Sequence, residues 1–162
     1  MPSKPPSNLI ACRPVHLLYL CERARPDEIE QYLAFYPAEK FDPETVAIGY
    51  MNTPGLKFTL LGPDGLPACA GGYQEVIPGV WQSWMVGSCE GWGAGWRSIT
   101  KASRWVADGL FEMGARRLQT NALASRTRAI EWYERGLKLV REGTWKAYGL
   151  QGQDVAAFAR TA

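Results

Sequence analysis

The first fifty or so residues predict one strand and two helices. Ile10–Cys21 is a mainly apolar run, interrupted at Pro14, and it predicts a first strand. A helix is predicted to begin at Arg25–Asp27 and to end at Pro37, because proline fits the first turn and stops the last. Asp42 precedes another proline and an apolar stretch, so it is the expected N-cap of a second helix.

The middle of the chain changes to short apolar segments that predict strands. The three segments are Lys57–Leu61, Pro67–Val76 and Val80–Val86. The turns between them are marked by Gly62–Gly65 and by Pro78–Gly79, which are strong turn formers. This part therefore predicts an antiparallel meander.

The C-terminal half returns to helices. Ser98–Met113 has apolar residues three and four apart and predicts a long amphipathic helix. A strand, a second helix with its N-cap at Ser125 and its end at Arg135, and three further strands follow; the strands are Arg117–Leu123, Leu137–Val140, Trp145–Tyr148 and Asp154–Ala159. One helix joins the strand ending at Val86 to the strand at Arg117–Leu123, which predicts a right-handed parallel crossover.

Composition fits one soluble domain. The chain has 162 residues, of which 46% are hydrophobic and 21% are charged. It has no apolar run of the roughly 18 residues that a membrane span needs, so no membrane partner is expected. Residues 1–8 are rich in proline and lack the apolar core of a signal peptide, so we expect a flexible tail, one domain over residues 9–162 and a cytoplasmic location.

Charge and cysteine content narrow the classes of ligand. Residues 1–95 contain six basic and ten acidic side chains, whereas residues 96–162 contain twelve and six. The basic half suits a polyanionic ligand, although a basic helix surface explains it equally well. Four cysteines with no CxxC pair and one histidine predict no metal site, and no zinc finger or RNP-like motif indicates specific nucleic-acid binding.

The most informative segment is Glu90–Arg97, which has glycines at positions 91, 93 and 95. It predicts a glycine loop that leads into a helix, with backbone close enough to a ligand for direct contact. Amide N–H groups from Trp92 to Trp96, together with the positive end of the helix dipole, would then form a nest for a diphosphate.

These features resemble the GNAT superfamily of acetyl-CoA-dependent N-acyltransferases. The family's loop reads Gln/Arg-x-x-Gly-x-Gly/Ala, and Glu90–Gly95 matches both glycine positions. Glu90 departs from the first position, where a carboxylate would repel phosphates unless Arg97 compensates. The resemblance implies an α/β (α+β) fold with a mixed, mostly antiparallel sheet, one parallel strand pair splayed at the cofactor site and about four helices.

A second stretch, Ala129–Leu137, resembles the family's Asn-x-x-Ala, Tyr and Gly-Phe pattern in two alternative registers. One register puts Trp132 at the tyrosine position and Ser125 at the asparagine. The other puts Tyr133 and Arg126 there, and it is favoured because it keeps a phenol where the family has one. Neither register has the asparagine.

The resemblance implies direct transfer of an acetyl group from acetyl-CoA to an amine in a ternary complex. Tyr133 would be the acid that protonates the leaving thiolate, unless it is a core aromatic. Glu75 and Asn121, on strands near the expected site, are the candidates for the base that takes a proton from the incoming ammonium, directly or through water. The residues expected to bind acetyl-CoA are Met85, Val86, Gly91, Trp92, Gly93, Ala94, Gly95, Trp96, Arg97 and Arg126. The implied partners are a small-molecule or protein amine and a second copy of the chain.

A non-catalytic protein on the same fold is the main alternative. The tryptophan-rich third strand also resembles GNAT-like proteins of short-tailed bacteriophages, which implies a virion component or a modulator of a host protein, located in the host cytoplasm or the virion. Glu90 and the missing asparagine favour this alternative, whereas the glycines favour the enzyme. Fold alone does not choose between them, because function resides in the site.

Overall fold

A seven-stranded sheet forms the centre of the structure, a computed structural model that describes residues 3–162. The sheet order is β1-β2-β3-β4-β5-β7-β6, and among the described residues only β4 and β5 are parallel neighbours. This mixed, mostly antiparallel sheet and the parallel crossover confirm the predicted fold class. The strands are β1 Leu9–Ala11, β2 Leu56–Leu61, β3 Pro67–Ile77, β4 Val80–Gly87, β5 Arg117–Leu123, β6 Val140–Trp145 and β7 Val155–Thr161.

Five α-helices lie around the sheet in the described part of the chain. The predicted starts of the second and third are confirmed, and the Asp42 side chain accepts a hydrogen bond from the Thr45 N–H at 3.0 Å. Within residues 3–162 no helix is both long and apolar enough to cross a membrane. The helices are α1 Pro14–Glu22, α2 Pro26–Phe35, α3 Pro43–Asn52, α4 Cys89–Glu112 and α5 Thr127–Glu131, and a π-helical turn, Trp132–Gly136, continues α5.

The prediction of one strand over Ile10–Cys21 is wrong for most of its length. Pro14 does not interrupt a strand but occupies the first turn of α1, where its missing N–H costs nothing. Leu17, Leu20 and Cys21 are buried at spacings of three and one, which places them on one helix face. An apolar run of this length does not by itself distinguish a buried helix from a strand.

The predicted glycine loop at Glu90–Arg97 is also wrong, because these residues belong to α4. The helix begins one residue after Ser88, whose hydroxyl oxygen accepts the Gly91 N–H at 3.0 Å. A Cβ on Gly91 would lie 2.5 Å from Cα of Ala68, so this glycine permits close packing of helix on strand. A Cβ on Gly93 would meet no atom within 4 Å.

The C-terminal elements are shifted from their predicted positions. The predicted strand Leu137–Val140 begins only at Val140, because Lys138 has a positive φ of 60° that breaks the extended chain. The predicted strand Trp145–Tyr148 ends at Trp145 and continues as a turn. The predicted helix from Ser125 is capped by Arg126 instead and becomes a π turn, in which the Leu137 N–H donates to the Trp132 carbonyl at 3.0 Å.

The core lies on both faces of the sheet. On one face α1 and α3 pack against β3 and β4 through a cluster that includes Leu17, Val46 and Val86. On the other face α4 packs against β2 and β3 through Leu60, Ile99 and neighbouring residues. The C-terminal end of β4 and the start of α4 are therefore held from both sides.

The tail and domain boundary at residues 8 and 9 stay predictions. Met1 and Pro2 of the predicted tail lie outside the described residues. The Ser3 carbonyl accepts a hydrogen bond from Nε1 of Trp105 at 2.6 Å, so the start of the described chain contacts α4.

Alanine substitutions of glycines in α4 test its helical start. Gly93→Ala should raise the free energy of unfolding by about 0.5–1 kcal/mol, because alanine favours a helix and its Cβ has open space. Gly91→Ala should lower it by about 1–3 kcal/mol through the clash with Ala68. Gly109→Ala, in the last turn of α4 and also free of neighbours, is the control for Gly93→Ala. Urea denaturation measures the free energy of unfolding of all three variants. A result in which Gly93→Ala is destabilised while Gly109→Ala is not would contradict a helix at position 93.

Candidate functional site

The strands β4 and β5 separate after a short parallel contact. They pair only where Val80–Gln82 lies beside Arg117–Gln119. Beyond this contact β4 stays paired with β3 and β5 stays paired with β7. The facing edges are then left without each other's hydrogen bonds, and a cavity of about 810 Å³ lies there, a volume typical of small-molecule sites.

The cavity brings together about half of the site residues expected from the sequence. Its walls include parts of α2, α3 and β3, the separated parts of β4 and β5, one side of α4 and the π turn. The expected site residues that line it are Met85, Trp92, Gly93, Asn121, Arg126 and Tyr133. Their functional roles stay predictions at this point.

The other expected residues lie elsewhere. Val86 is buried in the core against α1, and Gly91 packs on Ala68. Glu75 is exposed, and its carboxylate accepts the Gly79 N–H at 2.7 Å in the turn between β3 and β4. Ala94, Gly95, Trp96 and Arg97 do not line the cavity.

The structure also corrects the expected amide nest at Trp92–Trp96. The Trp92 N–H donates to the Ser88 carbonyl at 3.0 Å, as in any helix interior, so it is not free for a ligand. The free N–H groups of an α-helix belong to its first turn, which here comprises Cys89 and Glu90 next to the capped Gly91. Cys89 lines the cavity, whereas Glu90 is exposed and lies outside its walls.

A buried carboxylate that the sequence analysis missed lies at the end of β4. Glu28 of α2 is only 9% exposed, and its two carboxylate oxygens accept the Gly87 N–H at 3.2 and 3.0 Å. Arg25 donates to the same carboxylate at 2.7 Å. Burial raises the pKa of Glu28, and Arg25 and the Gly87 N–H lower it only in part. The signal for this residue was its place four positions before Tyr32, on the apolar face of α2.

A second ion pair connects α2 with the start of α5. Arg126, itself buried, donates to Asp27 at 2.9 Å and to the Gln31 side-chain oxygen at 2.9 Å. Burial raises the pKa of Asp27, but the adjacent Arg126 and Arg25 outweigh it and hold that pKa below its ordinary value. The Arg126 charge is therefore neutralised within the protein.

The π turn places two aromatic side chains at the cavity. Trp132 donates from Nε1 to the Thr100 hydroxyl at 2.8 Å and packs edge-on against Trp92. Tyr133 packs edge-on against Phe158, and of the two only Tyr133 has an O–H. Burial raises the pKa of this phenol, and Arg126 and a hydrogen bond with Thr120 lower it in part, so it stays protonated near neutral pH.

A basic groove adjoins the cavity on the side of α4 and α5. The two share Trp92, Trp132 and the side chains of Arg104 and Arg128. Apart from Lys4, its basic residues belong to the half of the chain with excess positive charge, and its acidic members are Asp108 and Glu131. Its basic residues are Lys4, Arg97, Lys101, Arg104, Arg128 and Arg135.

The buried charge of Glu28 should make stability depend on pH. Because its pKa is raised in the folded protein, the wild type should lose stability relative to Glu28→Gln as pH rises through that pKa. Urea denaturation of both proteins from about pH 4 to pH 8 measures this difference. Glu30→Gln, on the exposed part of the same helix, is the control, and its difference in free energy of unfolding from the wild type should change less with pH. An unchanged difference for Glu28→Gln would show that its carboxylate is not desolvated.

The fold is that of known acetyltransferases. A GNAT-family acetyltransferase from Bacillus anthracis superposes with a TM-score of 0.71 at 14% identity, over 96% of this chain and 95% of the other. Spermidine N-acetyltransferase from Vibrio cholerae, in complex with CoA and spermine, gives 0.71 at 16% identity over 94% of each chain. A GNAT phosphinothricin acetyltransferase from Sinorhizobium meliloti, in complex with AcCoA, gives 0.68 at 15% identity over 94% and 86%. No protein-family model and no curated protein matches the sequence.

Proposed function

We propose that this protein is an N-acetyltransferase that uses acetyl-CoA as the acyl donor and an amine as the acceptor. The observation that carries the proposal is the separation of β4 and β5 beyond Gln82, which leaves a strand edge at the wall of a cavity. Neighbours of the same fold were solved with AcCoA or with CoA, which supports this choice of donor.

The residues present fit such a donor. The open edge of β4 at Met85 offers backbone groups to the pantetheine amides and to the thioester carbonyl, as an oxyanion hole does. Gly93 leaves open space beside the cavity, and the adjoining groove contains the cations Arg97, Lys101 and Arg128 for phosphate groups. The exposed Glu90 lies outside the walls of both, which reduces the repulsion expected from its sequence position.

The chemistry requires a proton donor for the leaving sulfur, and Tyr133 is the residue we assign to it. Its phenol lines the cavity and is protonated near neutral pH. Asn121 lies on the open part of β5 and offers amide hydrogen bonds to the bound reactants. Glu75, near the end of β3, does not line the cavity, and its carboxylate accepts the Gly79 N–H in the turn after that strand, so we assign it no role in transfer.

A non-catalytic protein on this fold, such as a virion component or a modulator of a host protein, is the second candidate. It is favoured by the packing of Trp92 against Trp132 between the cavity and the basic groove, with ring centroids 4.8 Å apart. In this alternative the two indoles would separate the cavity from the basic groove, and the protein would bind a partner without catalysing a reaction.

Acetyl-CoA should bind and raise the melting temperature. A ligand at 100 times its dissociation constant adds about 2.7 kcal/mol to the free energy of unfolding. Gly93→Glu should abolish this effect by placing a carboxylate at the cavity, whereas Gly109→Glu, outside both the cavity and the groove, should retain it. Thermal denaturation and titration calorimetry measure both variants. Absence of binding by the wild type at millimolar acetyl-CoA would favour the non-catalytic alternative.

Loss of the Tyr133 hydroxyl should slow transfer without weakening donor binding. Tyr133→Phe should lower kcat by about 10²–10⁴-fold, the usual contribution of a general acid. Tyr19→Phe, on α1 and away from the cavity, is the control and should leave kcat unchanged. Release of free thiol measures the rate. A kcat for Tyr133→Phe within about threefold of the wild type would remove Tyr133 from the mechanism.

A further inference from the structure

One end of the cavity, between α2, α3 and β4, has aromatic walls. Tyr50 stacks on Trp84 with ring centroids 4.7 Å apart, and Tyr32 stacks on Tyr36 at 4.5 Å. Tyr32 also faces Tyr50 edge-on at 6.5 Å. All four line the cavity, and we call them the aromatic subsite. Faces of this kind bind apolar bodies and attract cations.

The buried Glu28 lies beside this subsite. It is one helical turn before Tyr32, and burial together with the Glu28 charge raises the pKa of the Tyr50 phenol. Within residues 3–162 its Oε2 accepts only the Gly87 N–H, so one lone pair of this oxygen is left for another donor. An ammonium N–H would occupy this position, and the carboxylate would then be shared between the ammonium and Arg25, which donates to its other oxygen.

Two further observations restrict the occupant. Among the described cavity-lining residues of α2, α3, β4 and their flanking caps, Arg25 is the only cation, and Glu28 already neutralises it. This end of the cavity thus lacks a free positive charge for a carboxylate. Nε1 of Trp84 is buried without a hydrogen-bond acceptor among residues 3–162, so this wall also offers one N–H donor to an acceptor atom of the occupant.

We propose that the aromatic subsite and Glu28 bind the acceptor, and that the acceptor is a primary monoamine with an aromatic or apolar body and no carboxylate. The proposal rests on the acetyl transfer proposed above. The apolar body lies against the cavity-facing sides of these rings, and the ammonium faces Glu28 at the end of β4, where the strands separate. A single buried carboxylate matches a single ammonium group, which disfavours amino acids and polyamines.

The proton steps then balance. Glu28 takes one proton from the ammonium, and the nitrogen lone pair forms the C–N bond to the thioester carbonyl carbon. The C–S bond breaks, and Tyr133 donates its proton to the sulfur. The nitrogen returns its second proton to the Tyr133 oxygen, and Glu28 releases its proton to water. The products are the amide, free thiol and one proton.

Four probes on the wild-type protein test the acceptor class without any variant. They are 2-phenylethylamine, L-phenylalanine, 2-phenylethanol and spermidine, each titrated by calorimetry without acetyl-CoA and then assayed for acetylation, with the alcohol titrated only. We expect 2-phenylethylamine to bind at least tenfold more tightly than the other three and to have the highest kcat/KM. Equal or tighter binding of the amino acid, the alcohol or the polyamine would overturn the assignment.

Variants locate the binding. Glu28→Gln should weaken 2-phenylethylamine binding at least tenfold and acetyl-CoA binding much less, whereas Glu30→Gln should change neither. Tyr50→Leu should weaken the amine through loss of a ring face. Amine binding that survives Glu28→Gln and Tyr50→Leu would refute the subsite. Amine binding in the expected order without any acetyl transfer would refute the enzyme and leave the subsite in place, so the two failures are distinguishable.

Discussion

The incomplete pairing of β4 and β5 is the constraint on which the site depends. Unpaired backbone groups in the middle of a sheet cost roughly 1–3 kcal/mol each unless water or a ligand bonds them. Here each strand keeps a full ladder on its other side, β4 with β3 as far as Gly87 and β5 with β7 as far as Leu123. The sheet therefore stays intact while one internal edge remains open, and the cavity follows from that geometry.

The helix α2 holds both sides of this opening. Its buried Glu28 accepts the Gly87 N–H at the end of β4, and a bridge between Ala24 and Ser88 lies next to it. On the opposite side Asp27 and Gln31 bind Arg126 at the start of α5. Removing one partner of such buried pairs leaves an uncompensated charge, so these contacts fix the width of the cavity as much as they stabilise the fold.

Local sequence patterns predicted the elements that depend on local information. The strands from Lys57 to Val86 and the strand Arg117–Leu123 follow from apolar segments between strong turns, and their order predicts the parallel crossover. The glycine segment failed because Gly91 serves packing against Ala68, a contact 23 positions away that propensity does not show. Glu28 was missed for the same reason, since its role depends on Gly87 in another element.

Replacing the glycine loop by a helix changes what the enzymatic proposal rests on. With Trp92 already bonded inside α4, the proposed phosphate binding would rely on the first turn near Cys89 and on the cations of the adjoining groove. The thioester end of the donor would rely on the open edge at Met85 and on Tyr133, which the π turn brings to the cavity. The proposed donor site therefore depends on a strand edge of the sheet and not on the glycine segment that the sequence indicated.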